Sequence, residues 1–234
     1  MRITLKITFL LSLSLNTTPS FAWGDLGHRT TGYIAETLLD AKGRALVNKI
    51  IGQEPLSEAA VWPDHVRSDE RYDVFAPYHY VTIPEGFQYN NRPSEFFVSK
   101  DAHTLLSGWS TAFRNKDLST TQKAVLFRYY IHLVGDVHQP LHVGNQSDRG
   151  ANLCIVKVVD ANNPKFERNT NLHSAWDDAL VNHLKNEAEK YFESKGKKIR
   201  YFSGNHLGDY LIEDHKNNAS QHGISLDRMK HEMV

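Results

Sequence analysis

The 234-residue sequence predicts an all-α protein, mainly helical with one small β-hairpin. Three observations carry that reading. Helix start and stop signals recur along the chain. Two long stretches place apolar and ionisable residues at i, i+4, i+7 and i+11. One segment only, Ala151 to Val159, alternates loosely in the strand period. In chain order, Arg2 and Lys6, the apolar run Ile7 to Leu15 and the small residues ending Ser20-Phe21-Ala22 read as an export signal cleaved after Ala22. Asp40 caps a helix over Ala41 to Ile51 with Gly52 as its stop, and Leu46/Ile50 and Val47/Ile51 form its apolar face. Trp62-Pro63-Asp64 begins or kinks another helix. Tyr78 to Ile83 reads extended, and Phe96 to Phe113 helical with room for one break. Ser119 and Gln122 form a capping box before a long helix that ends near Gln139-Pro140. Asn171 caps a helix running past Glu187. Beyond Lys195 the periodicity weakens and assigns no element.

Composition narrows the function classes. Lys plus Arg and Asp plus Glu both total 27, so no basic field is available to hold a nucleic-acid duplex by charge alone. The lone Cys154 excludes an internal disulfide framework and any multi-cysteine metal site. Histidine, at 13 residues, is the outlier. The expected organisation is a signal at 1–22 and one domain at 23–234, secreted or periplasmic, with neither a membrane anchor nor a stable protein partner.

The strongest chemical signal is His132-xxx-Asp136. Val125, Tyr129, His132 and Asp136 share one stripe of the capped helix, so both ligand-type residues point where apolar residues point. A buried imidazole and carboxylate cost several kcal/mol, on the order of 3–5, unless paired or bound to a cation. The Asn171-capped helix repeats the arrangement with His173, Asp177, Leu180 and Leu184. One such pair alone reads as an ordinary His–Asp hydrogen bond. Two pairs, with His142 in the loop after the first helix, read as two walls of a metal-binding cleft. His138 follows Asp136 too closely to share its face and reads as structural. Cleavage after Ala22 would expose the Trp23 amine five positions before His28. Gly24 and Gly27 would let that segment wrap an ion, and an amine of pKa about 7.7–8.0 can bind a metal near neutrality.

These residues carry a resemblance. Trp23-Gly with His28, Trp62-Pro-Asp-xx-Arg67, His79-Tyr-Val81, the block His132 to His142, Gly150-Ala-Asn152 and Asn171-Leu-His-Ser-Ala-Trp-Asp177 resemble the S1/P1 nuclease family, in order from Trp23 to about Leu184. The resemblance implies a helical fold like that of zinc-dependent phospholipase C, with three Zn²⁺ per chain. By motif, Asp64, His79, His132 and Asp136 would hold one zinc. Trp23, His28 and the bridging Asp136 would hold its neighbour, and His142, His173 and Asp177 the third. Asp64 would also orient the attacking water, and Arg67 would meet negative charge on the phosphoryl group. Tyr80 would stack a base and Asn152 would hydrogen-bond substrate. Substrates would be single-stranded DNA and RNA, cleaved to 5′-nucleotides, and the 3′-phosphates of 3′-nucleotides. Gly150-Ala151-Asn152 departs from the family's Gly-Gly-Asn, and from about Lys195 the chain reads as divergent or truncated. Two rivals keep the metal site: a phospholipase C-like phosphodiesterase and a non-catalytic exported zinc-binding protein. An HD-type phosphohydrolase fits less well, because Asp64-His65 stand in reversed order.

Overall fold

The computed structural model describes residues 23–93, 95, 100–160 and 163–222; the proposed export signal lies outside them. Helices dominate, as the stripes and caps predict. They are α1 (Asp25–Leu38), α2 (Ala41–Ile51), α3 (Leu56–His65), α4 (Ala102–Arg114), α5 (Thr120–Val137), α6 (Leu172–Ser174), α7 (Leu180–Ser194) and α8 (Gly204–His222), with a 3₁₀ segment at Glu70–His79. Helix α1 packs against α3 and α8, α3 against α5, α2 and α4 against α5, and α7 against α8. Among the described residues, no helix is long and apolar enough to cross a membrane.

The caps act as expected. The Asp40 side chain accepts the Gly43 N–H, and Gly52 ends α2 at φ +69°. Ser119 and Gln122 satisfy each other's backbone at the start of α5, and Asn171 accepts from the Ser174 N–H. Other expectations shift. Leu46 is exposed, and α2 buries Val47, Ile50 and Ile51 against Leu56 and Phe127 instead. Pro63 lies inside α3 rather than at its start, since the helix begins seven residues earlier behind Pro55. Only Val81–Ile83 of the Tyr78 to Ile83 stretch is a strand. Residues 96–99, part of the expected helix before Phe113, lie outside the described residues, and α4 begins behind its cap Asp101.

Two small sheets position the loops. Strand β1 (Val81–Ile83) pairs in parallel with β2 (Val143–Asn145), Val81 opposite Val143. That register draws His79 and His142, which precede the two strands, to one end of the ladder. The hairpin of β3 (Ile155–Asp160) and β4 (Asn163–Asn171) extends twelve residues past the predicted one and delivers the chain to α6.

Between α6 and α7, Ala175–Ala179 form a π-turn. One extra residue in that turn rotates everything after it by about 100°, one residue's worth of helix. The core-facing stripe therefore runs through Val181, Ala188 and Phe192, while Leu180 and Leu184, expected inside, are exposed.

Helix α8 has no counterpart in the sequence reading. It closes on α1 through glycines: a Cβ at Gly204 would come within 2.6 Å of the Arg29 Cβ, and one at Gly208 within 2.5 Å of the Tyr33 ring. Leu207 completes a core with Val181, Ala188 and Phe192, joined by Trp23, Leu26, Ile199 and Phe202.

Candidate metal centre

Five residues from four elements converge on one interior point. His28 comes from α1, Asp64 from α3, His79 from the end of the 3₁₀ segment, and His132 and Asp136 from α5. His28, His132 and Asp136 are fully buried, and Asp64 and His79 nearly so. His132 Nε2 lies 3.2 Å from Asp136 Oδ2 and 3.7 Å from Asp64 Oδ1. His79 Nδ1 lies 3.3 Å from Asp136 Oδ2 and 3.0 Å from His132 Nε2. His28 Nε2 lies 3.2 Å from Asp136 Oδ1, and its ring stacks on that of His132 at 4.0 Å. A Cβ at Gly135 would touch the His28 ring at 3.3 Å, so the bare glycine keeps α1 and α5 in register here.

A second group forms where the β1–β2 ladder meets α6. His142 Nε2 faces His173 Nε2 at 3.1 Å, and His173 Nε2 lies 3.5 Å from Asp177 Oδ2. His142 Nδ1 is 2.7 Å from the His79 carbonyl and His173 Nδ1 is 2.7 Å from the Gly150 carbonyl. Each carbonyl can only accept, so each Nδ1 carries the proton and each Nε2 a lone pair. Two lone pairs at that separation repel unless a cation lies between them.

The donor atoms thus fall into three sets, each within 4.8 Å: His28, His132 and Asp136; Asp64, His79 and His132; and His142, His173 and Asp177. The fit to a metal rests on unmet demand. His28 Nδ1 and Nε2, Asp64 Oδ1 and both Asp136 oxygens are buried with no aligned hydrogen bond. Buried polar groups in native proteins are nearly always satisfied. Imidazole and carboxylate donors in threes suit zinc.

The electrostatics differ between the groups. Burial pulls the His132 pKa down, but the Asp136 and Asp64 carboxylates outweigh it and raise it to about 9. Asp136 is held well below the usual carboxylate range: the His132, His28 and His79 imidazoles overcome its burial. His28 is lowered by burial and by His132. Burial pushes His142 down to about 4 and lowers His173.

The second group opens onto a cavity of about 320 Å³ that Arg67, Tyr80 and Asn152 also line, beside His79, His142 and His173. Tyr80 is 48% exposed, and the Asn152 amide donates to the Arg149 carbonyl. Trp23 is the first described residue. Its indole donates to the Gly135 carbonyl at 3.0 Å, and the Gly24 N–H donates to the Asp177 carbonyl at 3.1 Å. The Trp23–Gly24 segment is thereby pinned between the helices that carry Asp136 and Asp177. It does not wrap as a glycine loop: α1 starts at Asp25, with Gly24 as its cap and Gly27 in its first turn. His138 is exposed and turns back to the Val134 carbonyl.

Sequence reasoning missed two residues. Gln139 is fully buried, and its amide donates to Asp177 Oδ1 at 2.8 Å. A glutamine between two ligand candidates was its only signal. Arg149 lines the cavity at φ +55°, followed by Gly150 at +62° and Ala151 at +64°. Three successive left-handed residues aim the Gly150 carbonyl at His173, and a Cβ at Gly150 would come within 2.4 Å of the Leu141 carbonyl.

A helical chain that gathers three buried His/Asp sets beside one cavity falls in the class of proteins able to hold a cluster of metal ions. The chain belongs to the S1/P1 nuclease family, whose pattern matches residues 23–232. It is similar to Endonuclease 2 of Arabidopsis thaliana, 30% identical over 173 residues covering 68% of this chain and 56% of that protein. It is 26% identical to Nuclease S1 of Aspergillus oryzae over 68% of this chain and 54% of the relative. To Nuclease P1 of Penicillium citrinum it is 26% identical over 81% and 70%. The chain thus spans little more than half the length of the first two.

Proposed function

We propose that the chain is a zinc-dependent nuclease and 3′-nucleotidase. It would cleave single-stranded DNA and RNA to 5′-nucleotides and remove 3′-phosphates, as one exported domain from Trp23 onward. The observation that carries this reading is the set of buried, unsatisfied imidazole and carboxylate atoms beside a cavity that also holds Arg67, Tyr80 and Asn152.

Asp64, His79, His132 and Asp136 would hold one ion; His28, Asp136 and Trp23, through its freed amine and carbonyl, the next; and His142, His173 and Asp177 the third. Bound zinc supplies Lewis acidity and brings the pKa of water toward about 7. Asp64 Oδ1, which has no hydrogen-bond partner, orients the attacking water and accepts its proton. Arg67 offsets charge building on the phosphoryl oxygens as the attacking oxygen bonds to phosphorus and the P–O3′ bond breaks, the departing 3′-oxygen taking a proton from solvent in the cavity. Tyr80 offers a ring face to a base, worth about 1–3 kcal/mol irrespective of sequence, which favours strands whose bases are unpaired. Asn152 offers an amide to substrate.

The test is hydrolysis of RNA, single-stranded DNA and phosphatidylcholine side by side by the mature chain, with zinc counted per chain. The expected result is about three zincs and nucleic-acid cleavage. Arg67→Ala should lower turnover about 10²–10³-fold with metal content unchanged. Lipid cleavage alone would overturn the substrate reading, and zinc without any turnover would leave a binding protein.

A further inference from the structure

We propose a second surface, resting on the nuclease reading: residues 195–201 of the loop joining α7 to α8 anchor the sugar–phosphate backbone of a single strand away from the metal-binding groups. Lys195, Lys197, Lys198 and Arg200 put four positive charges into six residues of a chain whose formal net charge is zero, and no acidic residue occurs from Ser194 to Gly208. All four are exposed. Among the described residues none of them forms a salt bridge. Their neighbours are rings instead: Lys195 Nζ lies 5.4 Å from the Tyr191 ring centre, Lys197 Nζ 5.7 Å from that of Phe192, and the Arg200 guanidinium 5.5 Å from that of Tyr201.

The loop is held, not merely charged. Ile199 and Phe202 turn inward onto the core of Val181, Ala188, Phe192 and Leu207. That anchors both sides of Tyr201 and leaves the residue 76% exposed, the most exposed of the large hydrophobic residues described. Cations spaced along a loop, with an aromatic face at their end, are what a single strand needs: charge for its phosphates and a platform for one base. A lipid surface is a poorer fit, because the two residues that could enter a bilayer face the core.

Helix α7 separates this loop from the metal-binding groups. The seventeen helical steps from Asp177 to Ser194 put the start of the loop about 25 Å away at about 1.5 Å each, or about seven nucleotides at a stacked spacing of about 3.4 Å, and the loop then folds back until Phe202 lies beside Lys185 and borders a groove with Asp25 and Leu26. A dinucleotide at the cavity cannot reach Lys195 and Lys197, which lie by Tyr191 and Phe192 at the far end of α7, whereas a twenty-mer can.

The experiment compares the zinc-loaded wild type with Lys197→Ala/Lys198→Ala/Arg200→Ala and, separately, Tyr201→Ala. Binding of an uncleavable phosphorothioate dT twenty-mer is followed by anisotropy across salt concentrations, and kinetics are measured on a dinucleotide and a cleavable twenty-mer. The triple variant should flatten the log Kd against log salt slope by about 2, three contacts at about 0.7 each. It should raise KM for the twenty-mer about tenfold and leave dinucleotide kinetics unchanged. Tyr201→Ala should weaken twenty-mer binding about tenfold with the salt slope kept. An unchanged slope and KM would overturn the proposal, as would an equal loss on the dinucleotide, or binding to phosphatidylserine vesicles with none to the twenty-mer. A protein that binds the twenty-mer through this loop yet hydrolyses no nucleic acid would sink the nuclease reading and keep the surface.

Discussion

The group around Asp136 and the group around Asp177 use the same residue types to opposite electrostatic effect. The first gathers three imidazoles and two carboxylates from α1, α3, the 3₁₀ segment and α5, sealed from solvent, and its His132 pKa rises to about 9. The second has two imidazoles and one carboxylate from a loop and one helix beside the cavity, and its His142 falls to about 4. The first draws in positive charge whether or not a metal supplies it. The second stays neutral, with lone pairs aimed at each other, and accepts a cation without first losing a proton. What separates them is carboxylate number and enclosure: two carboxylates sealed in with His132, against one at the cavity edge with His142 and His173.

The largest expected effect tests that contrast by ion count. Asp136→Asn removes the carboxylate shared by two donor sets, so elemental analysis should show a loss of two metals per chain, with activity down at least about a thousandfold. Asp177→Asn should lose one. Equal losses would mean the two groups are not separate assemblies. Next in size, Gln139→Leu removes the amide that holds Asp177 Oδ1. Metal affinity should fall about 10–100-fold for one ion only, read by competition with a chromophoric chelator, while the Asp136 group keeps its ions.

The metal-free chain should show the contrast as two pH limbs. The raised His132 pKa gives stability that is full below about 6.5 and lost as pH rises through about 9. The lowered His142, His173 and His28 act on the other side. Below about 6.5 the unfolded chain takes up protons that the folded imidazoles refuse, so stability falls toward pH 4. Calorimetry in chelator should find the highest Tm between these limbs; a Tm that rises steadily across neutrality would contradict the assignment. The smallest effect lies in the turn that aims the Gly150 carbonyl. Ala151 sits at φ +64°, where a Cβ costs about 1 kcal/mol. Ala151→Gly should stabilise the chain to urea by up to that amount without altering metal content.

The caps at Asp40, Ser119 and Asn171 were legible because a helix start needs only the side chain at the cap and the amides that follow it. The inward aim of His132 and Asp136 was legible because one helical period relates them to Tyr129. Leu180 and Leu184 misled because a π-turn leaves no mark on hydrophobic spacing. Helix α8 escaped because its contact with α1 is made by Gly204 and Gly208, whose lack of side chains permits close approach and writes no apolar stripe.

By itself, then, the sequence determined which residues could be ligands and the helix face on which each pair stands, since those are relations within a few turns of one chain. Only the tertiary structure decided that Ala60, His79 and Gly150 would each turn a carbonyl toward an imidazole, fixing which nitrogen is turned toward the other donor atoms. Those carbonyls lie 23 to 72 residues from the rings they meet, and no local periodicity encodes a partner brought in by packing.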